Sequence, residues 1–168
     1  MSNQVTFTGN ALNLVGDFAK VGQKAPDFSV LDNSLQAKSL KDYAGKTLII
    51  SVVPSLDTGV CDAQTRRFNQ EAANLSDDIR ILTISVDLPF AQARWCGAAG
   101  IDKVETLSDH NATSFGNAYG LLVKELLLLA RAVLVINKNG DLVYQEVVPE
   151  MTNPVNFDAA LEAAKKAL

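Results

Sequence analysis

The chain has 168 residues and a mass of 18.0 kDa, enough for one domain that buries about 70% of its unfolded surface without a disulfide or metal. Hydrophobic residues make up 48% and charged residues 20%, with a mean hydropathy of +0.09, an ordinary globular composition. Lys and Arg number 15 against 19 Asp and Glu, and the net charge of −4 excludes a strongly basic nucleic-acid surface.

In chain order, Val5 and Phe7, then Gly9-Asn10, then Leu12 and Leu14 predict a short hairpin with alternating apolar positions. Pro26 to Leu31 reads as a strand, and Asp32 to Lys46 as a polar connection. Thr47 to Val53 is nearly all apolar and β-branched, the pattern of a central strand buried on both faces. It stops at Pro54. Asp57-Thr58-Gly59 makes a turn, and a helix is expected from near Val60 towards Leu75. Ile79 to Val86 predicts a second buried strand, and Pro89 opens a helix reaching Ala98. A short strand at Val104 to Leu107 and a short helix at Ala112 to Tyr119 follow. Ala132 to Ile136 and Leu142 to Val147 flank Asn139-Gly140, the strongest hairpin signal in the chain. Phe157 to Leu168 is an alanine-rich amphipathic helix. This order predicts an α/β fold of thioredoxin-like layout, a mixed central sheet flanked by helices.

Several motifs lead nowhere. Gly45-Lys46-Thr47 looks like the end of a phosphate loop, but Leu40 stands where the first glycine belongs and Lys46 leads into a strand. His110 reads as a solvated turn residue. With one His and two Cys, no metal site is expected, and no cofactor motif is present. The residues Met1-Ser2-Asn3-Gln4 open no signal peptide, and Leu121 to Ile136 is too short and too charged to span a bilayer. A cytoplasmic, reducing location is expected, where a lasting structural disulfide is disfavoured.

The informative stretch is Pro54-Ser55-Leu56-Asp57-Thr58-Gly59-Val60-Cys61, directly after a buried strand. Cys61 is expected in the first helical turn, in a partly exposed pocket where unpaired N–H groups and the helix dipole favour a thiolate. Thr58, three residues earlier, is expected to set its hydroxyl beside the sulfur, and Pro54 to shield one side of the site. Trp95-Cys96-Gly97 lies inside a helix and has Ala99 where a CxxC partner belongs, so Cys96 is not the first nucleophile of such a pair. Arg131 stands in an apolar run, where an uncompensated cation is costly and a functional one is expected.

PSLDTGVC matches the PxxxTxxC motif of peroxiredoxins. With Phe68-Asn69, SVDLPFAQ from Ser85 to Gln92, Trp95-Cys96-Gly97 and Ala130-Arg131-Ala132-Val133, the chain resembles the thiol peroxidase subfamily, the atypical two-cysteine peroxiredoxins. The resemblance implies a single domain over residues 1–168, of which 1–18 is the hairpin extension the subfamily adds to the thioredoxin fold. It implies that Cys61 is the peroxidatic cysteine, oxidised to a sulfenic acid, and that Cys96, 35 positions on, resolves it as an intramolecular disulfide. Thr58 and Arg131 then hold the thiolate and polarise the peroxide, and Pro54 shields the intermediate. Hydroperoxides are the implied substrates, with an apolar surface at Leu121, Leu122 and Leu126 for alkyl chains. Thioredoxin is the implied reductant and a homodimer the implied assembly, with neither nucleic acid nor membrane as partner. Thiols on separate helices further require both segments to rearrange before they bond. A peroxide sensor, a thiol–disulfide carrier, or a non-catalytic module with an ordinary Cys61 thiol are the alternatives the residues leave open.

Overall fold

The computed structural model describes residues 3–168; the first two residues of the expected 1–18 extension lie outside the described residues. An antiparallel hairpin, β1 (Gln4–Phe7) and β2 (Asn10–Asn13), precedes two short strands, β3 (Val30–Leu31) and β4 (Ala37–Lys38). Then β5 (Thr47–Val52), α1 (Gly59–Ala72), β6 (Ile79–Ser85), α2 (Pro89–Ala99) and β7 (Glu105–Ser108) alternate. α3 (Ser114–Tyr119) leads into a small hairpin, β8 (Leu122–Val123) and β9 (Leu128–Leu129), and β10 (Ala132–Ile136), β11 (Leu142–Val147) and α4 (Phe157–Lys166) follow.

The main sheet is seven-stranded and mixed, in the order β11-β10-β5-β6-β7-β3-β4. β5, β6 and β7 run parallel side by side, so two right-handed crossovers in the same direction set α1 and α2 on one face. α4 joins them there: Ala160, Leu161 and Ala164 pack with Ile49, Val133, Val135 and Phe68 of α1. On the other face Leu48, Ile50, Val52, Leu82 and Ile84 meet Phe115 and Tyr119 of α3 together with Val5 and Leu14 from the N-terminal segment. β5 is buried at every position, as its composition predicts.

The floor beneath α2 is different. Strand alternation turns Thr83 and Ser85 of β6 and Thr106 and Ser108 of β7 to the same face, side by side in register. Over this hydroxyl stripe α2 fully buries just Pro89 and Gln92. Its attachment is polar: Gln92 Nε2 donates to Ser85 Oγ at 3.0 Å and to the Leu107 carbonyl at 2.9 Å.

Two readings need correction. The strand expected over Pro26 to Leu31 shrinks to Val30–Leu31. Pro26 has no N–H to give a ladder, and the Asp27 carboxylate accepts from the Phe28 and Leu40 N–H groups, tying the chain locally instead. The polar connection after it holds β4 and a 3₁₀ turn over Leu40–Tyr43.

The N-terminal hairpin is bolted to the body near the end of β11. Thr6 N–H donates to the Pro149 carbonyl and Met151 N–H to the Thr6 carbonyl, both at 2.7 Å. The Glu150 carboxylate accepts from Gly9 N–H and Thr6 Oγ1, each at 2.9 Å, and from Thr152. Further along, Gly120 has φ +68, and a Cβ there would sit 2.3 Å from the Asp17 carbonyl oxygen, so only glycine lets the segment after the hairpin cross the end of α3. Gly120→Ala is expected to cost about 3 kcal/mol in urea unfolding. The hydrogen bonds to Glu150, with Thr152 foremost, depress its pKa from 4.5 to about 2. Their stabilisation is complete above the ordinary value and is lost as pH falls through about 2. Melting temperature is therefore expected to drop more steeply over that acid window in the parent chain than in Glu150→Gln.

Candidate active site

The end of β5 is carried past the sheet by Val53, whose N–H donates to the Ile84 carbonyl at 3.1 Å, and the chain then turns at the buried Pro54. Thr58, in extended conformation (φ −89, ψ 148), is the N-cap of α1. Cys61 is the third residue of that helix, where an N–H lacks an intrahelical acceptor. Thr58 Oγ1 supplies one, accepting from Cys61 N–H at 3.4 Å while donating to the Ser55 carbonyl at 3.1 Å.

Arg131 immediately precedes β10 and is only 2% exposed. All three arms of its guanidinium are engaged: Nη2 donates to Cys61 Sγ at 3.0 Å, Nη1 to Gln64 Oε1 at 3.0 Å and Nε to the Met151 carbonyl at 2.7 Å. Gln64 is held in turn, its Nε2 donating to Ser51 Oγ at 2.7 Å. Among the described residues no carboxylate pairs with Arg131. A buried cation with neutral acceptors is stabilised most by the one partner that can acquire a negative charge, the Cys61 sulfur. A thiolate beside a fixed cation and a helix N-terminus is a nucleophile, and the same cation can stabilise charge developing on a leaving oxygen.

The structure thus brings Cys61, Thr58 and Arg131 together, with two differences from the expected arrangement. Cys61 is fully buried rather than partly exposed, because Val53, Leu56 and the partly buried Trp95 cluster with it. The single Thr58 hydroxyl proton goes to the Ser55 carbonyl, so Thr58 orders the backbone of the turn instead of bonding the sulfur. The apolar substrate surface expected at Leu121, Leu122 and Leu126 is also not there. Leu121 and Leu122 belong to the core through the β8–β9 hairpin, leaving Leu126 exposed at its tip.

Cys96 occupies the interior of α2, with its sulfur 3.6 Å from Thr106 Oγ1 on β7. Both cysteines are free thiols. Burial pushes the Cys96 pKa above the ordinary thiol value, partly offset by Thr106. The helices that carry the two thiols are joined one residue from each. Trp95 Nε1 donates to the Asp62 carboxylate at 3.0 Å, and Arg66, paired with Asp62, lies over the indole ring.

Three further groups of the site carry no assignment from the sequence: Gln64, the Met151 carbonyl and Asp87. Gln64 follows Cys61 by three positions, which puts the two on one helix face, so spacing alone could have found it. The others arrive through tertiary contacts that no local pattern encodes. The Asp87 carboxylate accepts from Ser55 Oγ, Leu56 N–H and Ser85 Oγ at 2.7–2.8 Å.

The Redoxin family model matches residues 20–161. A thiol peroxidase of Bacillus subtilis is 63% identical over 162 residues, 96% of each chain. Among solved structures, a peroxiredoxin-like protein from Aquifex aeolicus superposes with a TM-score of 0.92 at 36% identity, covering 100% of this chain and 99% of that one. A thiol peroxidase from Chromobacterium violaceum shares the fold with a TM-score of 0.86 at 20% identity, over 97% and 95% of the two chains. Sheet order and matches together define a redoxin with a thioredoxin-like fold. Within that class, the chain belongs to the thiol peroxidase family of peroxiredoxins. No helix among the described residues is long and apolar enough to cross a membrane.

The raised Cys96 pKa sets its reactivity. In Cys61→Ser, where Cys96 is the remaining thiol, the rate of iodoacetamide alkylation is expected to keep rising with pH beyond about 8.5. A plateau below that pH would contradict the burial described above.

Proposed function

We propose that this enzyme reduces hydrogen peroxide and organic hydroperoxides by a two-cysteine cycle. The Cys61 thiolate attacks one oxygen of the peroxide. The S–O bond forms as the O–O bond breaks, and the departing alkoxide or hydroxide takes a proton to leave as alcohol or water. Cys61 is then a sulfenic acid, two electrons more oxidised. Arg131 holds the thiolate and stabilises the leaving oxygen, Thr58 keeps the turn capped, and Pro54 shields the intermediate. Cys96 attacks the sulfenic sulfur, giving the disulfide and water, and an external dithiol returns both thiols while becoming a disulfide itself.

The observation that carries this reading is the 3.0 Å contact between the buried Arg131 guanidinium and Cys61 Sγ. The relatives named thiol peroxidase support it independently. From the same family we take thioredoxin as the reductant, a homodimer as the assembly, the cytoplasm as the location, and residues 1–168 as one domain.

One equivalent of cumene hydroperoxide added to reduced protein is expected to remove two hydrogens from the parent, as read by intact mass. Cys96→Ser should stop at the sulfenic acid, and Cys61→Ser should not react. A parent that stays reduced would defeat the reading. Arg131→Lys keeps the charge but loses the three-armed fork, and its kcat/KM is expected to fall by about 10²-fold.

A further inference from the structure

Asp87 lies between β6 and α2, on a rigid base. Its N–H donates to Ser85 Oγ at 3.2 Å, and Ser108 Oγ donates to its carbonyl. From there the carboxylate reaches two ways. One oxygen accepts from Ser55 Oγ and the other from Leu56 N–H, both at 2.8 Å, so it grips two consecutive residues of the loop over Cys61. Leu56 is one of the side chains that bury Cys61, and the Ser55 carbonyl receives the Thr58 hydroxyl that caps α1. The second oxygen also accepts from Ser85 Oγ, and that hydroxyl in turn accepts from Gln92, the buried anchor of α2. A continuous run of hydrogen bonds therefore joins the Cys61 loop, through Asp87 and Ser85, to the helix that carries Cys96. No Lys or Arg among the described residues pairs with Asp87. Its partners are hydroxyls and a backbone N–H, groups that water can replace when the latch opens.

We propose that Asp87 is a positioning residue that latches the loop over Cys61 to the base of the Cys96 helix, and so sets the balance between the peroxide step and the disulfide step. With the latch closed, Thr58 caps α1, Cys61 is held against Arg131, and peroxide reduction is favoured. Disulfide formation needs both segments free, so the same latch restrains it. This inference rests on the two-cysteine cycle proposed above.

The test is rapid-quench intact mass with cumene hydroperoxide, with fluorescence of Trp95, the only tryptophan, as a second readout beside the site. Asp87→Ala is expected to slow sulfenic acid formation about tenfold and to speed its conversion to disulfide about threefold or more. Asp87→Asn keeps an acceptor for Leu56 N–H and a partner for Ser55, and is expected to return both rate constants most of the way. Leu142→Ala, a core truncation in β11, lowers stability without opposing changes in the two steps. Any pairing of signs in Asp87→Ala other than slower oxidation with faster disulfide formation overturns the latch, as does an Asn variant no better than Ala. Should the parent itself form neither sulfenic acid nor disulfide, the two-cysteine cycle fails instead.

Discussion

The structure turns on one buried positive charge. Arg131 is almost fully sealed from water, and its neighbours offer two neutral oxygens and a sulfur. An unpaired ion in such a place costs several kcal/mol, on the order seen when a buried pair is broken. The Cys61 sulfur, 3.0 Å from Nη2, is the one partner there that can carry a negative charge. Much of the surrounding architecture keeps the fork aimed. Ser51 of β5 fixes Gln64, and the Met151 carbonyl is fixed by the pairing of its own N–H with Thr6 of the N-terminal hairpin. The extension that looks peripheral in the sequence is a strut for the reactive centre.

The two thiols are set up oppositely. Cys61 faces a cation at a helix N-terminus, whereas Cys96 sits mid-helix beside a neutral threonine, where burial keeps it protonated. In the folded arrangement Cys96 is a poor nucleophile. In the proposed cycle, opening α2 would both move its sulfur and give it to water, so mobility and activation would arrive in one step. The attack order of the proposed cycle would thus follow from environment, with no difference in the residues themselves.

The main lines of the fold were legible because they rest on short-range rules. Continuous β-branched runs gave β5 and β6, Pro89 gave the start of α2, and Asn139-Gly140 gave the last hairpin. The helix-start position of Cys61 and the oddity of an arginine in an apolar run were local signals too. What stayed hidden depends on distant chain. The turn around Cys61 is rich in polar residues and reads as exposed, yet Trp95 and Leu56 close over the sulfur once α2 is docked. Asp87 reads as an ordinary helix-flanking acid, and its grip on Ser55 and Leu56 exists only because β5 and β6 end side by side. Leu121 and Leu122 look available in an apolar run until the small hairpin folds them inward.

The hydroxyl floor under α2 has a thermal consequence. Thr83 Oγ1 and Gln92 Oε1 are buried there without partners among the described residues, and water entering would give each one. Leu88 and Phe90, the large apolar residues at the start of α2, already face solvent at 52% and 67% exposure. Lifting the helix would therefore hydrate a polar floor as well as the apolar cluster of Val53, Leu56 and Trp95, and the heat-capacity increment of polar surface opposes that of apolar surface. Global unfolding bares the aliphatic core and carries a large positive increment, so its free energy bends with temperature. Opening of α2, with part of its footprint polar, would carry less of that curvature. In the proposed cycle, the enthalpy of the step that joins the two thiols would change less with temperature than that of unfolding the molecule around it.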